Sequence, residues 1–252
     1  MTINPGWPVA IAIVSLTALT VLAYAVGRLP GPGAAAIAAA RSVVQLSVAA
    51  VVITRVVESL RMSLVLLLGM GMVALVTTVR RVGAPGAWPW AALAMVSGLL
   101  PVLAIILGTR TVPLQGISLI PIVGILAGNT MNGHTLVCRR SFAALREEKD
   151  QYDAALSLGF TRTQAAMGIV HRRVPEALIP GLDQVRTAGV VTLPGAFIGV
   201  LLGGGSPGQA AAAQILVLVG IMAAQTITAV VAEALICRAR LLPPDLIESL
   251  HP

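Results

Sequence analysis

Long apolar runs separated by short polar breaks make up most of this chain, and one break is far longer than the rest. The apolar runs fall at residues 7–26, 34–53, 63–79, 89–108, 117–136, 187–204 and 210–237. A bilayer-crossing helix needs about 20 mostly apolar residues, so the pattern predicts about seven transmembrane helices. The second run carries Arg41 and Gln45, and the third is short. The long break, residues 139–186, holds eight of the seventeen Lys+Arg and six of the ten Asp+Glu. Within it, residues 142–158 mix charges with Leu145, Tyr152, Ala155 and Leu156, a spacing that predicts an amphipathic helix. Gly159 supplies the left-handed stop. Thr161 and Gln164 read as a capping box opening a second helix. That helix is expected to end near Val174, because Pro175 disfavours helical geometry in the residue before it. The break thus reads as helix, tight turn, helix on the membrane face, either presented to a soluble partner or serving as a solvated connector.

Composition agrees with this pattern. The chain is 57% hydrophobic and 11% charged, against about 25% charged in an ordinary soluble domain. The expected fold class is an all-α integral membrane protein: a single transmembrane domain, residues 1–252, with the loop 139–186 inside it. The net charge of +7 follows from the bias of basic residues toward cytoplasmic loops. With the loop in the cytoplasm, thirteen basic residues fall inside and only Arg55, Arg61 and Arg110 outside. This predicts an external N-terminus, a cytoplasmic C-terminus and a plasma (inner) membrane location. Aromatics at 3% give little support for stacking on bases, so nucleic acid is not an expected partner. Cys138 and Cys237 fall at predicted cytoplasmic ends, where disulfides are not expected, and two cysteines make no zinc site. The first run has no basic stretch before it, which argues against a cleaved signal peptide.

Polar residues inside apolar runs are costly and mark pathways or buried contacts. Arg41 and Gln45, four apart, share a helix face, as a gate or as a structural anchor. Asn129 and Asn132 also share a face and either line a route or bond between helices. Pro194 deprives the sixth run of a backbone donor. Gly195, Gly199 and Gly203 then follow at steps of four, fitting either a moving broken helix or plain close packing. Gln214 and Gln225 lie three turns apart on one face of the last run. Glu233 either binds a cation or proton or reaches the interface. His134 and His171 are expected near the cytoplasmic surface, solvated. No metal-ligand set is apparent.

The one lysine, Lys149, precedes Asp150. A phosphate-binding loop needs Gly-Lys-Ser/Thr, so any ATP use must reside on another subunit. The segment Asp153-Ala154-Ala155-Leu156 with Gly159 resembles the cytoplasmic coupling loop of ABC transporter permeases, where an acid-Ala-Ala triplet and a following glycine dock into the ATPase. Here Asp153 stands in place of Glu, and the next proline comes later than usual. Arg41-x-x-x-Gln45-Leu46, Gly128-Asn129-Thr130-Met131-Asn132-Gly133, Ala177-Leu178-Ile179-Pro180 and Leu193-Pro194-Gly195, with Pro207 and Gln214, occur in an order that resembles the bacterial iron-export ABC permease family, whose plant relatives are linked to aluminium tolerance. The resemblance implies a permease subunit, a homodimer, and a separate ATPase carrying ATP and magnesium, with no cofactor on this chain. It implies a metal cation, iron first, as the exported solute, and Asp153, Ala154, Ala155, Leu156 and Gly159 as coupling residues. Candidate pathway residues are Arg41, Gln45, Asn129, Asn132, Pro194, Gly195, Gln214 and Glu233. Relatives often carry methionines and a threonine after Leu-Pro-Gly; here Ala196, Phe197 and Ile198 remove the thioethers, which weakens a metal route. The rivals are the same machine carrying another small solute, a stand-alone channel, or a membrane-embedded enzyme. The enzyme lacks any H-E-x-x-H, G-x-S-x-G or paired acids.

Overall fold

The computed structural model describes residues 6–250. Its long elements are helices because apolar runs of this length satisfy their backbone only internally in lipid. The chain forms two compact units, Met1–Glu58 and Ser59–Pro252. The first holds α1 (Trp7–Val26) and α2 (Pro32–Val56), which pack against each other. Gly31, at φ 83°, opens α2 in the left-handed conformation that glycine takes cheaply. Arg41 and Gln45 lie on the exposed surface of α2.

The second unit runs through α3 (Leu60–Val82), α4 (Trp88–Gly108), α5 (Gly116–Glu147), α6 (Lys149–Ser157), α7 (Arg162–Val170), α8 (Val174–Thr187), α9 (Gly195–Leu202), α10 (Pro207–Cys237) and α11 (Pro244–Leu250). Its axis is α10, which packs against α4 and α5, with α3 on the other side of α5. The α4–α10 crossing is close because Gly98 has no side chain. A Cβ there would collide with Thr228 Oγ1 and the Ala224 carbonyl. Among the described residues six helices, α1 to α5 and α10, are long and apolar enough to cross a membrane.

The predicted helical span at 187–204 is not present as such. Ala188 bridges to Thr192, Gly189 turns at φ 84°, and Pro194 caps α9 instead of kinking a longer helix. With eight residues, α9 is about 12 Å long, too short to span. Both α8 and α9 pack against α10. At its far end α10 carries Glu233, paired with His171 beside α7, followed by Arg240 over the Trp90 ring. The chain must therefore climb the length of α10 between α8 and Ser206. Gly181 on α8 already faces Gln225, about 18 Å before the end of α10 by helical rise. A segment that looked like polar loop in sequence is thus a helix packed against α10 and α5.

The charged end is a folded cap. Phe142, Leu145, Tyr152, Ile169, Val170, Leu241, Leu246 and Leu250 form a buried core there, continuous with that between the long helices. The expected helix at 142–158 is split: α5 runs on to Glu147, and the chain restarts as α6 after Glu148. Glu148 accepts from Arg172 at 2.7 Å and Arg173 at 2.9 Å, locking the break to the segment after α7. The stop at Gly159 is as predicted, at φ 89°. Phe160 N–H donates to the Ala155 carbonyl and Gly159 N–H to that of Leu156, the paired bonds of a Schellman turn. The capping box of Thr161 and Gln164 is also present. The second helix ends at Val170, and Pro175 sits in the first turn of α8, where its missing N–H costs nothing. The residues after Arg240 are not a loose tail: α11 docks on α5, with Arg146 gripping Asp245 through two hydrogen bonds of 2.7 and 3.2 Å.

Candidate functional site

A polar cavity of about 410 Å³ opens between the end of α3, the middle of α5, α8 and α10. Its polar lining comes from Arg81, Asn129, Asn132, Arg139, Gln184 and Gln225, with Thr135 beside them. Two glycines create the space for Gln225. Its side chain passes between Gly133 on α5 and Gly181 on α8, and a Cβ on Gly181 would overlap Gln225 Oε1. Gln225 Nε2 donates to the Asn129 carbonyl at 2.9 Å. Asn129 Nδ2 donates back to the Ile125 carbonyl at 2.9 Å. Arg81 Nη1 donates to Asn132 Oδ1 at 3.3 Å. Arg139 donates from Nε and Nη2 to the Arg81 carbonyl, capping α3 where its last carbonyls lack helical partners.

Of the sequence-predicted pathway residues, only Asn129 and Asn132 reach this chamber. Pro194 stands at the start of α9, and Gly195 lines a second, apolar cavity toward the other end of α10. Gln214 is buried on α10, and its Oε1 has no hydrogen-bond partner among the described residues. Glu233 is buried and pairs with His171 Nδ1 at 2.7 Å. Arg41 and Gln45 belong to the other unit. His134, expected at the surface, is fully buried. Thr78 and Thr135 form a polar cluster around it, with Thr78 Oγ1 3.0 Å from His134 Nδ1.

The chamber residues that sequence reasoning missed are Arg81, Arg139, Gln184 and Gly181. The two arginines read as mere markers of orientation. For Arg139 the signal was its spacing from Asn132, seven residues or two helical turns, which puts both on one face of α5; Arg81, alone on α3 in the chamber wall, carried no such signal.

Of the residues expected to form the coupling loop, Asp153 to Leu156 sit on α6 and Gly159 follows it. Asp153 and Ala154 are exposed, while Ala155 and Leu156 pack partly into the cap core. Lys149 Nζ donates to Asp153 at 2.8 Å, and this bond raises the lysine pKa above its ordinary value. Beyond them the turn exposes Leu158, 79% accessible, and Phe160, 52% accessible. No group of three or more His, Cys, Asp or Glu side chains suited to a metal occurs among the described residues. The chamber offers amides and guanidinium groups, which bind by hydrogen bonding and charge; it contains no nucleophile–base pair.

Residues 7–241 match the family described as "Uncharacterised protein family (UPF0014)". The chain is 30% identical over 145 residues to "UPF0014 membrane protein STAR2" of Oryza sativa subsp. japonica, covering 58% of this chain and 51% of that protein. It is 33% identical over 131 residues to "UPF0014 membrane protein YjkA" of Bacillus subtilis, covering 52% of each. It is 30% identical over 130 residues to "Probable iron export permease protein FetB" of Escherichia coli, covering 52% of this chain and 50% of that protein. The aligned part spans about half the length of these curated relatives. No solved structure matches. With the match running through α1 to α10, this multi-pass helical membrane protein belongs to the UPF0014 family.

Proposed function

We propose that this chain is the permease subunit of an ABC transporter, moving a small solute through the α3–α5–α8–α10 chamber with ATP hydrolysed by a separate subunit. The observation that carries the reading is the cap. Its α6 helix presents Asp153-Ala154-Ala155, a tight turn and two exposed apolar side chains beyond the membrane helices. An apolar tip on a charged surface fits a groove in a soluble partner. Beside the continuous apolar core, three connections tie the cap to the chamber helices. Glu148 is clamped by Arg172 and Arg173, His171 holds Glu233 on α10, and α8 continues directly from the cap into the chamber wall. Movement of α6 by a closing ATPase is thereby passed to α8 and α10, where Gly181 and Gln225 meet. In this reading the cap is cytoplasmic, the membrane is the plasma (inner) membrane, and two copies pair with two ATPases that hold ATP and magnesium.

Export of a metal, iron first, is supported by the name of the Escherichia coli relative, a probable iron export permease. The test is copurification of the chain with its candidate ATPase from membranes, beside an Asp153→Arg variant. Association and solute-stimulated ATP hydrolysis, both lost in the variant, are expected. A chain that copurifies with no ATPase points to a stand-alone channel.

A further inference from the structure

The charge of the chamber bears on what it admits. Two guanidinium groups stand on its wall, and none of its lining residues is a carboxylate. The nearby acids are engaged elsewhere. Glu176 takes Arg140 and Arg173, Glu148 takes Arg172 and Arg173, and Asp183 pairs with Arg186. Arg81 uses Nη1 on Asn132, and its Nε and Nη2 have no protein partner among the described residues. Arg139 keeps Nη1 free in the same sense. Around them Asn132, Gln184 and Gln225 add side-chain amides, which donate as well as accept.

Resting on the permease reading above, we infer that the chamber receives its solute through an anionic oxygen group, a carboxylate or phosphate, held by Arg81 and Arg139 with Asn132, Gln184 and Gln225. A bare divalent cation finds there two fixed positive charges and no acid to offset them. Guanidinium, by contrast, matches planar carboxylate and phosphate with paired donors. A basic end alone would follow from membrane orientation. Here, however, the two arginines converge on a cavity wall shared with the amides of Asn129, Asn132, Gln184 and Gln225, and α8, after which the helical run breaks before α9, borders it. Broken helices are where membrane proteins place polar solute sites. A metal that travels this route travels as an anionic chelate, and a metal-free acid or phosphate ester uses the same contacts.

The experiment is equilibrium dialysis of the full chain in lipid nanodiscs, without ATPase, against radiolabelled citrate, inorganic phosphate, ferric citrate and ferrous ion alone. Saturable binding of citrate or phosphate is expected. Asn132→Asp and Arg81→Gln should each weaken it at least tenfold, with Arg81→Lys, which keeps the charge but loses the paired donors, weakening it less than Arg81→Gln. Iron retained only together with citrate identifies a chelate as the source of the anion. Equal binding of citrate without iron identifies a metal-free solute. The inference is overturned if no anion is retained at millimolar concentration, or if both variants bind anions like the parent. It is also overturned if ferrous ion alone saturates the chain and binds more tightly to Asn132→Asp. Because no ATPase is present, these outcomes are separate from loss of the copurifying partner, which bears on the permease reading alone.

Discussion

His171 Nδ1 lies 2.7 Å from Glu233 Oε1, joining the end of α7 in the cap to the last turns of α10. The two ends of the bond differ in exposure: the histidine side chain is 74% accessible and the carboxylate 10%. Removing the histidine strands a buried acid, whereas removing the acid leaves a solvated ring. His171→Ala should therefore cost about 1–3 kcal/mol, the penalty for an unsatisfied buried polar group. Glu233→Leu should cost less, and the double variant should recover part of the loss. Thermal unfolding followed with a thiol-reactive dye measures this, since Cys138 and Cys237 are free and buried until the fold opens. Equal, additive losses would mean that the pair carries no coupling.

Gly181 and Gln225 make a sharper case. The atom that a Cβ on Gly181 would strike is the far end of a flexible side chain. Gly181→Ala should push Gln225 off the Asn129 carbonyl and reduce transport while leaving the chain folded. Gln225→Ala in the same molecule should restore room and with it part of the activity. Gly98 offers the contrast. There the obstacle includes the Ala224 backbone carbonyl, which cannot swing away. Gly98→Ala should destabilise by about 1–3 kcal/mol, as overpacking does, and no single side-chain truncation should rescue it. Unfolding midpoints and solute uptake into vesicles, measured for all four proteins, separate the two behaviours.

The long helices were legible because their signal is local. Apolar length alone places α1 to α4, α10 and the start of α5 within a few residues, although α5 runs on past residue 136 to Glu147, and Gly159 and the box of Thr161 with Gln164 announce their turns by residue type. A second capping box, Ser206 with Gln209, opens α10 in the same way; the predicted start at 210 missed it. What sequence did not reveal depends on partners far along the chain. His134 looks like a surface residue until Thr78, from another helix, closes over it. The run at 187–204 is apolar enough to span, yet the Ala188–Thr192 turn breaks it and leaves only the short α9. Asp183, Gln184 and Arg186 made α8 read as loop. In the fold Gln184 faces the polar chamber, and the charges of the other two are paired.

The grip of Arg146 on Asp245 sets a pH dependence for α11. The hydrogen bond from Arg146 holds the Asp245 carboxyl below its ordinary value of 3.8. A depressed carboxyl stabilises the fold above its unfolded pKa, and that contribution disappears as pH falls through the lower folded value. The docking of α11 should thus be insensitive to pH from neutrality down to about 4 and weaken below that. The pair is exposed, so the effect is small and confined to the end of the chain. Asp245→Asn should bring the loosening to neutral pH, read as faster amide exchange in α11 and earlier proteolytic trimming there. The Tyr152 hydroxyl, which donates to the Leu250 carbonyl at 3.4 Å, keeps part of the contact. Tyr152→Phe combined with Asp245→Asn should release α11 further than either change alone.

The exposed tip after α6 separates docking from folding. Leu158 is largely exposed and Phe160 about half so, so Leu158→Glu should shift stability by no more than about 0.5 kcal/mol and Phe160→Glu by somewhat more. Each should nonetheless sharply reduce capture of the ATPase, because a charge placed at the centre of an apolar contact has no partner there. Gly159 tests the opposite property. Its φ of 89° suits glycine alone, and Gly159→Ala should cost about 1 kcal/mol or more in strain without adding charge. If the cap works as a shaped plug, Gly159→Ala should weaken capture by misdirecting Leu158 and Phe160, even though both side chains remain. Pull-down of the ATPase with each variant, at matched folded fractions, distinguishes loss of the apolar contact from loss of its geometry. Unchanged capture in all three would place the docking surface elsewhere on the cap.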